Sequence, residues 1–423
     1  MKENLLHFIW KLKLFSFKNL KTINDEFIEI LSVGIENRNA GPDFLNAKIR
    51  IGEQLWAGNV EIHVKSSDWY LHKHEIDENY DSVILHVVWD DDTEIFNKVN
   101  QQIPTLELKE YVSNDLLIKH EELFNKPKKW INCEYEIQTI TPFVLTHWQE
   151  QLYFEKLEQK AVQIQQILNK TTNNWEATLF ILLAKNFGLK VNADAFMNFA
   201  LSFDFSIVRK VASNKTQLEA LLFGQAGLLV SNSESAYFNI LKDEYDYLKR
   251  KFSIVPISAN QVQFFRLRPN NFPTIRLSQL ASLFNMHQNL FSKIIEIKTL
   301  DGFYDLLNVS SSIFWETHYT FDKESKKSVK KLTKSFIDLL LINTIIPLKF
   351  MYLKSLGKSD FSSVITIMNQ IKPEKNTIIS KFSDLKIKSS NAFETQALLQ
   401  LKNEYCNKQL CLQCSIGNEI LKS

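Results

Sequence analysis

Residues 40–65 read AGPDFLNAKIRIGEQLWAGNVEIHVK, and their pattern decides the fold of the N-terminal third. AKIRI, a short turn at Gly52 and Glu53, and WAGNVEIHV predict a β-hairpin, two strand-forming runs on either side of a turn signal. Asp43, next to Gly41 and Pro42, falls where the first of these strands begins, and Glu61 lies on the second. In an antiparallel hairpin closed near Gly52 the two occupy neighbouring positions at the open end. Side chains alternate faces along a strand, so Glu61, His63 and Lys65 project to one side.

Outward from the hairpin, FIEILSV at 27–33 alternates apolar and polar residues and stops at Gly34, which reads as a strand. Leu5, Leu6, Ile9, Trp10 and Leu12 recur at near-helical spacing and predict an amphipathic first helix. On the other side, the polar stretch SSDWYLHKHEIDENYD reads as a crossover, a loop with a short helix. SVILHVVW is a continuous apolar run of buried-strand type, and PTLELKEYV adds one more strand. Helix, three strands, crossover and further strand make an α/β module over residues 1–112.

Beyond about Asp115 the texture becomes helical, in HWQEQLYFEKLEQKAVQIQQIL, WEATLFILLAKNFG, TQLEALLFGQAGLL and FIDLLLINTIIPL. The expected organisation is a linker at 113–142 that carries Cys133, an α-helical domain at 143–400, and a cysteine-bearing tail at 401–423. The fold class is therefore α+β: a mixed sheet flanked by helices, then a mainly helical region.

Of the 423 residues, 45% are hydrophobic and 23% charged, as in a soluble globular protein. Ten Gly and nine Pro against 31 Phe argue against long linkers. No apolar run approaches the roughly 18 residues of a membrane span, and the opening MKENLLHFIWKLKLF carries Glu and Lys where a signal would be apolar. The expectation is a cytoplasmic protein without a membrane partner; the oligomeric state is not legible. A net charge of +2 creates no global field. Local basic clusters occur at Lys126, Lys128 and Lys129 and at Lys323, Lys326, Lys327, Lys330, Lys331 and Lys334, where solvated helix faces explain them equally well.

The chemistry that suits Asp43, Glu61, His63 and Lys65 on one surface is metal-assisted hydrolysis of a phosphodiester. Two carboxylates suit Mg²⁺, and imidazole beside them admits Mn²⁺ or Zn²⁺. Pro42-Asp43 followed by Glu61-Ile62-His63 on the next strand resembles the PD-(D/E)XK nuclease signature, and the order of elements resembles that superfamily's core, a restriction-endonuclease-like module. The resemblance implies that Asp43 and Glu61 bind Mg²⁺ or Mn²⁺, with the Ile62 carbonyl as a third ligand, and that the substrate is DNA or RNA. The superfamily's lysine position holds His63, so either His63 or Lys65 would supply the cation. A protein that kept the fold and lost the chemistry, binding nucleic acid or acting as a scaffold, is the alternative.

Four of the nine histidines fall between positions 63 and 86: His63, His72, His74 and His86. The His72-Lys73-His74 pair offers zinc ligands and admits a zinc hydrolase, whereas His86 inside ILHVV reads as a core residue. Trp69 and Tyr80 read as packing residues of the crossover.

All four cysteines fit one pattern, Cys406, Cys411 and Cys414 in the tail with Cys133 far upstream. Thiolates so spaced can converge on Zn²⁺ or a [4Fe-4S] cluster; buried reduced thiols are the alternative. The split is similar to the iron-sulfur staple of certain helicase-associated and CRISPR-associated nucleases, with a different C-terminal spacing. FFRLRPNNFPTIR at 264–276 places Arg266, Arg268 and Arg276 around two prolines, a rigid insert that could guide a nucleic-acid backbone or organise a turn. Through AGPDF, GNVEIHVKSSDW, LLFGQAG, RLRPNNFPTIRL and the CxxxxCLxC tail, the chain also resembles a bacterial family catalogued as domain of unknown function 2851, which brings no activity with it.

Overall fold

The computed structural model describes residues 1–37, 39–125 and 130–422; Lys126, Lys128 and Lys129 lie outside the described residues. The chain divides into two compact units, one made of Met1–Trp148 with Leu401–Ser423 and the other of Gln149–Gln400. The linker and the tail thus belong with the α/β module in one unit.

Its sheet is built from β1 (Ile28–Ser32), β2 (Ile35–Glu36), β3 (Phe44–Ile51), β4 (Gln54–Lys65), β5 (Val83–Asp90) and β6 (Thr105–Glu107). The order is β1-β3-β4-β5-β6, with β2 also paired to β3. The β3–β4 hairpin is antiparallel and closes with Ile51 opposite Gln54. β4–β5 and β5–β6 are parallel, so the sheet is mixed. β3 alternates, burying Phe44, Ala47, Ile49 and Ile51, whereas β5 is buried on both faces from Ile84 to Val88, as a central parallel strand is. The β3–β4 register shifts between Phe44 and Ala47, where Asn46 has φ +58°, a bulge beside the open end of the hairpin.

Gly58 allows β5 to pair where β4 needs it. A Cβ there would lie 2.4 Å from Ile84 Cγ2 and 2.6 Å from the Ser82 carbonyl, so no larger residue fits. One helix, α1 (Glu3–Lys11), lays Leu5, Leu6, Phe8, Ile9 and Trp10 into the core and packs on β4. The crossover holds a single turn, α2 (Asp68–Leu71), and α3 (Asn114–Asn125) follows the sheet. Trp69 is buried with Ile95 and Ile103, its Nε1 donating to the Phe96 carbonyl at 3.1 Å, so crossover packing is its role.

The second unit is helical, from a 29-residue helix, of which Gln149–Lys170 belongs to this unit, to Ala392–Gln400. Its helical run Lys334–Ser355 is, among the described residues, the one long and apolar enough to cross a membrane by length and composition. Of that apolar window 67% is buried inside the fold, the pattern of a core helix.

The 264–276 segment departs from the rigid insert expected. A helix begins at Pro273 and runs to Met286, because proline at the first helical position has no N–H to lose and a φ already set for the helix. Arg276 therefore sits in a helical first turn and is only 6% exposed. Its guanidinium donates to Gln279 at 2.9 Å and Asn271 at 2.6 Å and lies over the Phe336 ring, all groups of the same unit. Arg266 and Arg268 are exposed.

Candidate metal and proton-transfer site

β3 and β4 present Asp43 and Glu61 across the open end of the hairpin, as the register requires. Each carboxylate holds the facing segment's backbone: the Asp43 N–H donates to Glu61 Oε2 at 3.1 Å, and the Ile62 N–H donates to Asp43 Oδ2 at 2.9 Å. The second oxygen of Glu61 faces imidazoles. Oε1 lies 3.4 Å from His74 Nε2 and 3.5 Å from His63 Nε2, and His63 Nε2 lies 3.1 Å from His72 Nδ1.

Each histidine arrives by its own route. His63 points inward from β4, one alternation after Glu61, and is 2% exposed. His72 and His74 are delivered by the turn after α2, which Asp68 anchors by accepting the Lys65 N–H at 3.0 Å. Tyr80 stacks on His74 with ring centroids 3.7 Å apart. His86, on β5 opposite Glu61, holds His63 from behind, Nε2 to Nδ1 at 2.9 Å. Among the described residues, His63, His72 and His74 form the one trio of metal-binding types whose donor atoms all lie within 4.8 Å of one another.

His7 is the member that sequence reasoning missed. It reaches from α1 to within 3.2 Å of Asp43 Oδ2. It also lines a cleft of about 280 Å³ bounded by Lys11, Glu36, Phe124 and the tail around Gln409–Gln413. Its position one turn inside an amphipathic helix carried no local signal, since only tertiary packing brings α1 to Asp43.

Lys65 does not join the group. Alternation places it on the Glu61 side, but it stands at the exposed end of β4 with its ammonium 3.7 Å from Asp92.

Burial dominates the electrostatics. It pushes His63 down to about 3, with the neighbouring His74, His72 and His7 acting in the same direction, so this imidazole is neutral. It likewise holds His86 well below its ordinary value. Glu61 is raised, chiefly by burial and further by Asp43, against the hydrogen bond from His74. For His7 burial is again the largest effect and lowers the pKa, but Asp43, with Glu3 and Glu61, outweighs it and the pKa is raised; at 3.2 Å the Asp43 contact is one of charge, since His7 Nε2 makes no well-aligned hydrogen bond. Imidazoles facing a carboxylate make a donor set for a divalent ion. The buried nitrogens His74 Nδ1 and His86 Nδ1 have no partner in the protein.

The four cysteines also come together. Cys133, Cys406, Cys411 and Cys414 are free thiols lining one cavity with Leu123, Ile131 and Ile416. Burial, then the neighbouring thiols, raise Cys133 well above the usual thiol range, and burial likewise pushes Cys406 to about 12.

Fold and site together define an α+β protein with a buried histidine–carboxylate cluster at the open end of a β-hairpin. The chain belongs to the family described as Protein of unknown function (DUF2851), which it matches over residues 3–377. Comparison with curated proteins and with solved structures returns no match.

Proposed function

We propose that the N-terminal unit is a metal-dependent hydrolase of phosphodiesters in nucleic acid, with Glu61, His63, His72 and His74 as ligands of one divalent transition-metal ion. The observation that carries this reading is the spacing of the donors. Ligands bound tetrahedrally at about 2.0–2.1 Å stand roughly 3.3–3.4 Å apart; His63 and His72, Glu61 and His74, and Glu61 and His63 stand at 3.1, 3.4 and 3.5 Å, and the donors of the three histidines all lie within 4.8 Å of one another. Imidazole donors favour Zn²⁺ or Mn²⁺ over Mg²⁺, which prefers an all-oxygen shell.

Such an ion, when bound, lowers the pKa of the attacking water and polarises the phosphoryl oxygen. The chain's own residues do the rest. Asp43 orients His7 through their 3.2 Å contact, and His7, which lines the cleft, is suited to hand a proton to the leaving oxygen. Tyr80 and Trp69 keep the rear of the site dry by packing against His74.

The test is hydrolysis of a chromogenic phosphodiester and of single-stranded and duplex DNA and RNA, with Zn²⁺, Mn²⁺ or Mg²⁺ supplied in turn. Turnover with Zn²⁺ or Mn²⁺ that disappears in Glu61→Gln and His63→Ala is expected. Failure to bind one equivalent of metal, or turnover that survives Glu61→Gln, would overturn the reading.

A second reading, a non-catalytic nucleic-acid-binding protein, draws on the exposed Arg266 and Arg268. It requires binding without turnover, with a salt dependence that weakens when Arg266 or Arg268 is replaced.

A further inference from the structure

The cysteines form a second donor set in the same unit, independent of the histidine cluster. They come from three separate backbone segments. Cys133 lies in the loop after α3, Cys406 ends a π-helical turn at Leu401–Cys406, and Cys411 and Cys414 flank the short turn before the last helix, Ser415–Lys422. The chain has four cysteines and all of them face this one cavity, whose other walls include Leu123, Ile131, Ile137, Leu410 and Ile416. Four thiols scattered through a core by chance would not share one void.

The spacing of the sulfurs separates the candidate ligands. A single Zn²⁺ bound by thiolates at about 2.3 Å needs sulfurs roughly 3.8 Å apart. Among the described residues, the only three metal-binding side chains with all donor atoms within 4.8 Å are the histidines, so no three of the thiols are that close. As they stand, the thiols are set wider than a single tetrahedral ion requires.

The surroundings fit an iron–sulfur centre. The walls are apolar, and the Asn132 amide donates to Cys411 Sγ at 3.5 Å, the kind of hydrogen bond that tunes a cluster's potential. The backbone is closed tightly around the thiols. Gly417 of the last helix packs so near that a Cβ would lie 2.2 Å from the Cys411 carbonyl, and Lys402 pins the opposite side by donating to the Trp130 carbonyl at 2.8 Å.

We propose that Cys133, Cys406, Cys411 and Cys414 ligate a [4Fe-4S] cluster that ties the C-terminal tail to the loop after α3. Because Gln409–Gln413 also wall the cleft that reaches His7, the cluster holds one side of that cleft in place.

The full chain, produced with iron and sulfide available and purified without oxygen, tests this. Expected are about four iron and four acid-labile sulfide per chain, a brown colour bleached by dithionite, and loss of both elements in Cys133→Ser and Cys411→Ser. His72→Ala should retain the full iron and sulfide content, which separates this centre from the histidine site. Should the cysteine variants fail to fold, Mössbauer spectra of the unaltered protein decide between a cubane cluster and mononuclear iron. Stoichiometric zinc without sulfide, or four thiols free to react with a thiol reagent in the native anaerobic protein, would overturn the proposal.

Discussion

His86 controls which nitrogen of His63 can act. If the His63 Nδ1–H donates to His86 Nε2, the His63 Nε2 lone pair is free towards Glu61 and His72, but His86 then carries a buried N–H without an acceptor. If His86 donates instead, His63 Nε2 keeps its proton and cannot bind metal. A metal ion bound as proposed would require the first arrangement, and replacing a partner of this kind typically costs ~10–100-fold in affinity. His86→Leu should therefore weaken Zn²⁺ binding by about that factor, read by competition with a chromophoric chelator; unchanged affinity would place tautomer control elsewhere. The same burial has a pH signature in the metal-free protein. His63 is depressed from 6.5 to about 3 in the folded state, so between these values the unfolded chain binds more protons. Stability conferred by the neutral ring is complete above 6.5 and falls as the pH drops towards 3, by at most about 1.4 kcal/mol per pH unit. Urea denaturation at pH 7 and pH 5 should show the unaltered protein losing more stability than His63→Leu, and an equal loss in both would refute the sign. Asp43, Glu61 and His63 were legible from strand alternation alone. Lys65 was not, because alternation says which side a side chain leaves and nothing about Asp92 waiting at the strand's exposed end.

Elements were legible in proportion to their periodicity. The hairpin turning at Gly52 follows from period-two patterning and the strand at 83–90 from its unbroken apolar run, whereas the helix starting at Pro273 hid behind a proline pair that reads as a break. What the pattern does not carry is the way one helix finishes another. The helix Leu290–Glu296 ends with carbonyls that have no helical partner, and the buried Lys349, from the helix Ile346–Ser355, donates to Ile294, Ile295 and Ile297 at 3.2, 2.7 and 2.7 Å. In the sequence Lys349 is a polar interruption of an apolar face. Lys349→Met should leave these acceptors buried and cost about 2–4 kcal/mol, measured as a drop in the denaturant midpoint. A change within about 0.5 kcal/mol, the range of ordinary surface substitutions, would show that water takes over the carbonyls. Glu219 was equally invisible. Inside a helix it accepts from Tyr237 at 2.8 Å, Ser312 at 3.2 Å and Trp315 at 2.7 Å, joining three segments that no local pattern connects.

At the scale of the whole chain, the two units are asymmetric in how they depend on continuity. Gln149–Gln400 is one unbroken stretch, whereas the other unit is completed by a tail 252 residues further on. That tail buries Leu401, Cys414, Ile416, Ile420 and Leu421, and its last helix packs on α3. At about 1.5–3 kcal/mol for each buried side chain, as an upper bound, removing them costs roughly 7–15 kcal/mol. Domains have about 5–15 kcal/mol in all, so the sheet unit should not survive the loss. A chain ending at Gln400 should therefore yield, on limited proteolysis, a protected fragment close to Gln149–Gln400 while the first 148 residues are digested. In calorimetry, the full chain should show two transitions and the shortened chain one, since units with separate cores need not unfold together. If the cysteines hold the cluster proposed for them, removing it should act in the same direction but less severely, lowering only the transition that truncation abolishes. Resistance of residues 1–148 to protease in the shortened chain would mean that the sheet folds without its tail. The cysteine-bearing segment would then be an addition to that unit and not the piece that closes it.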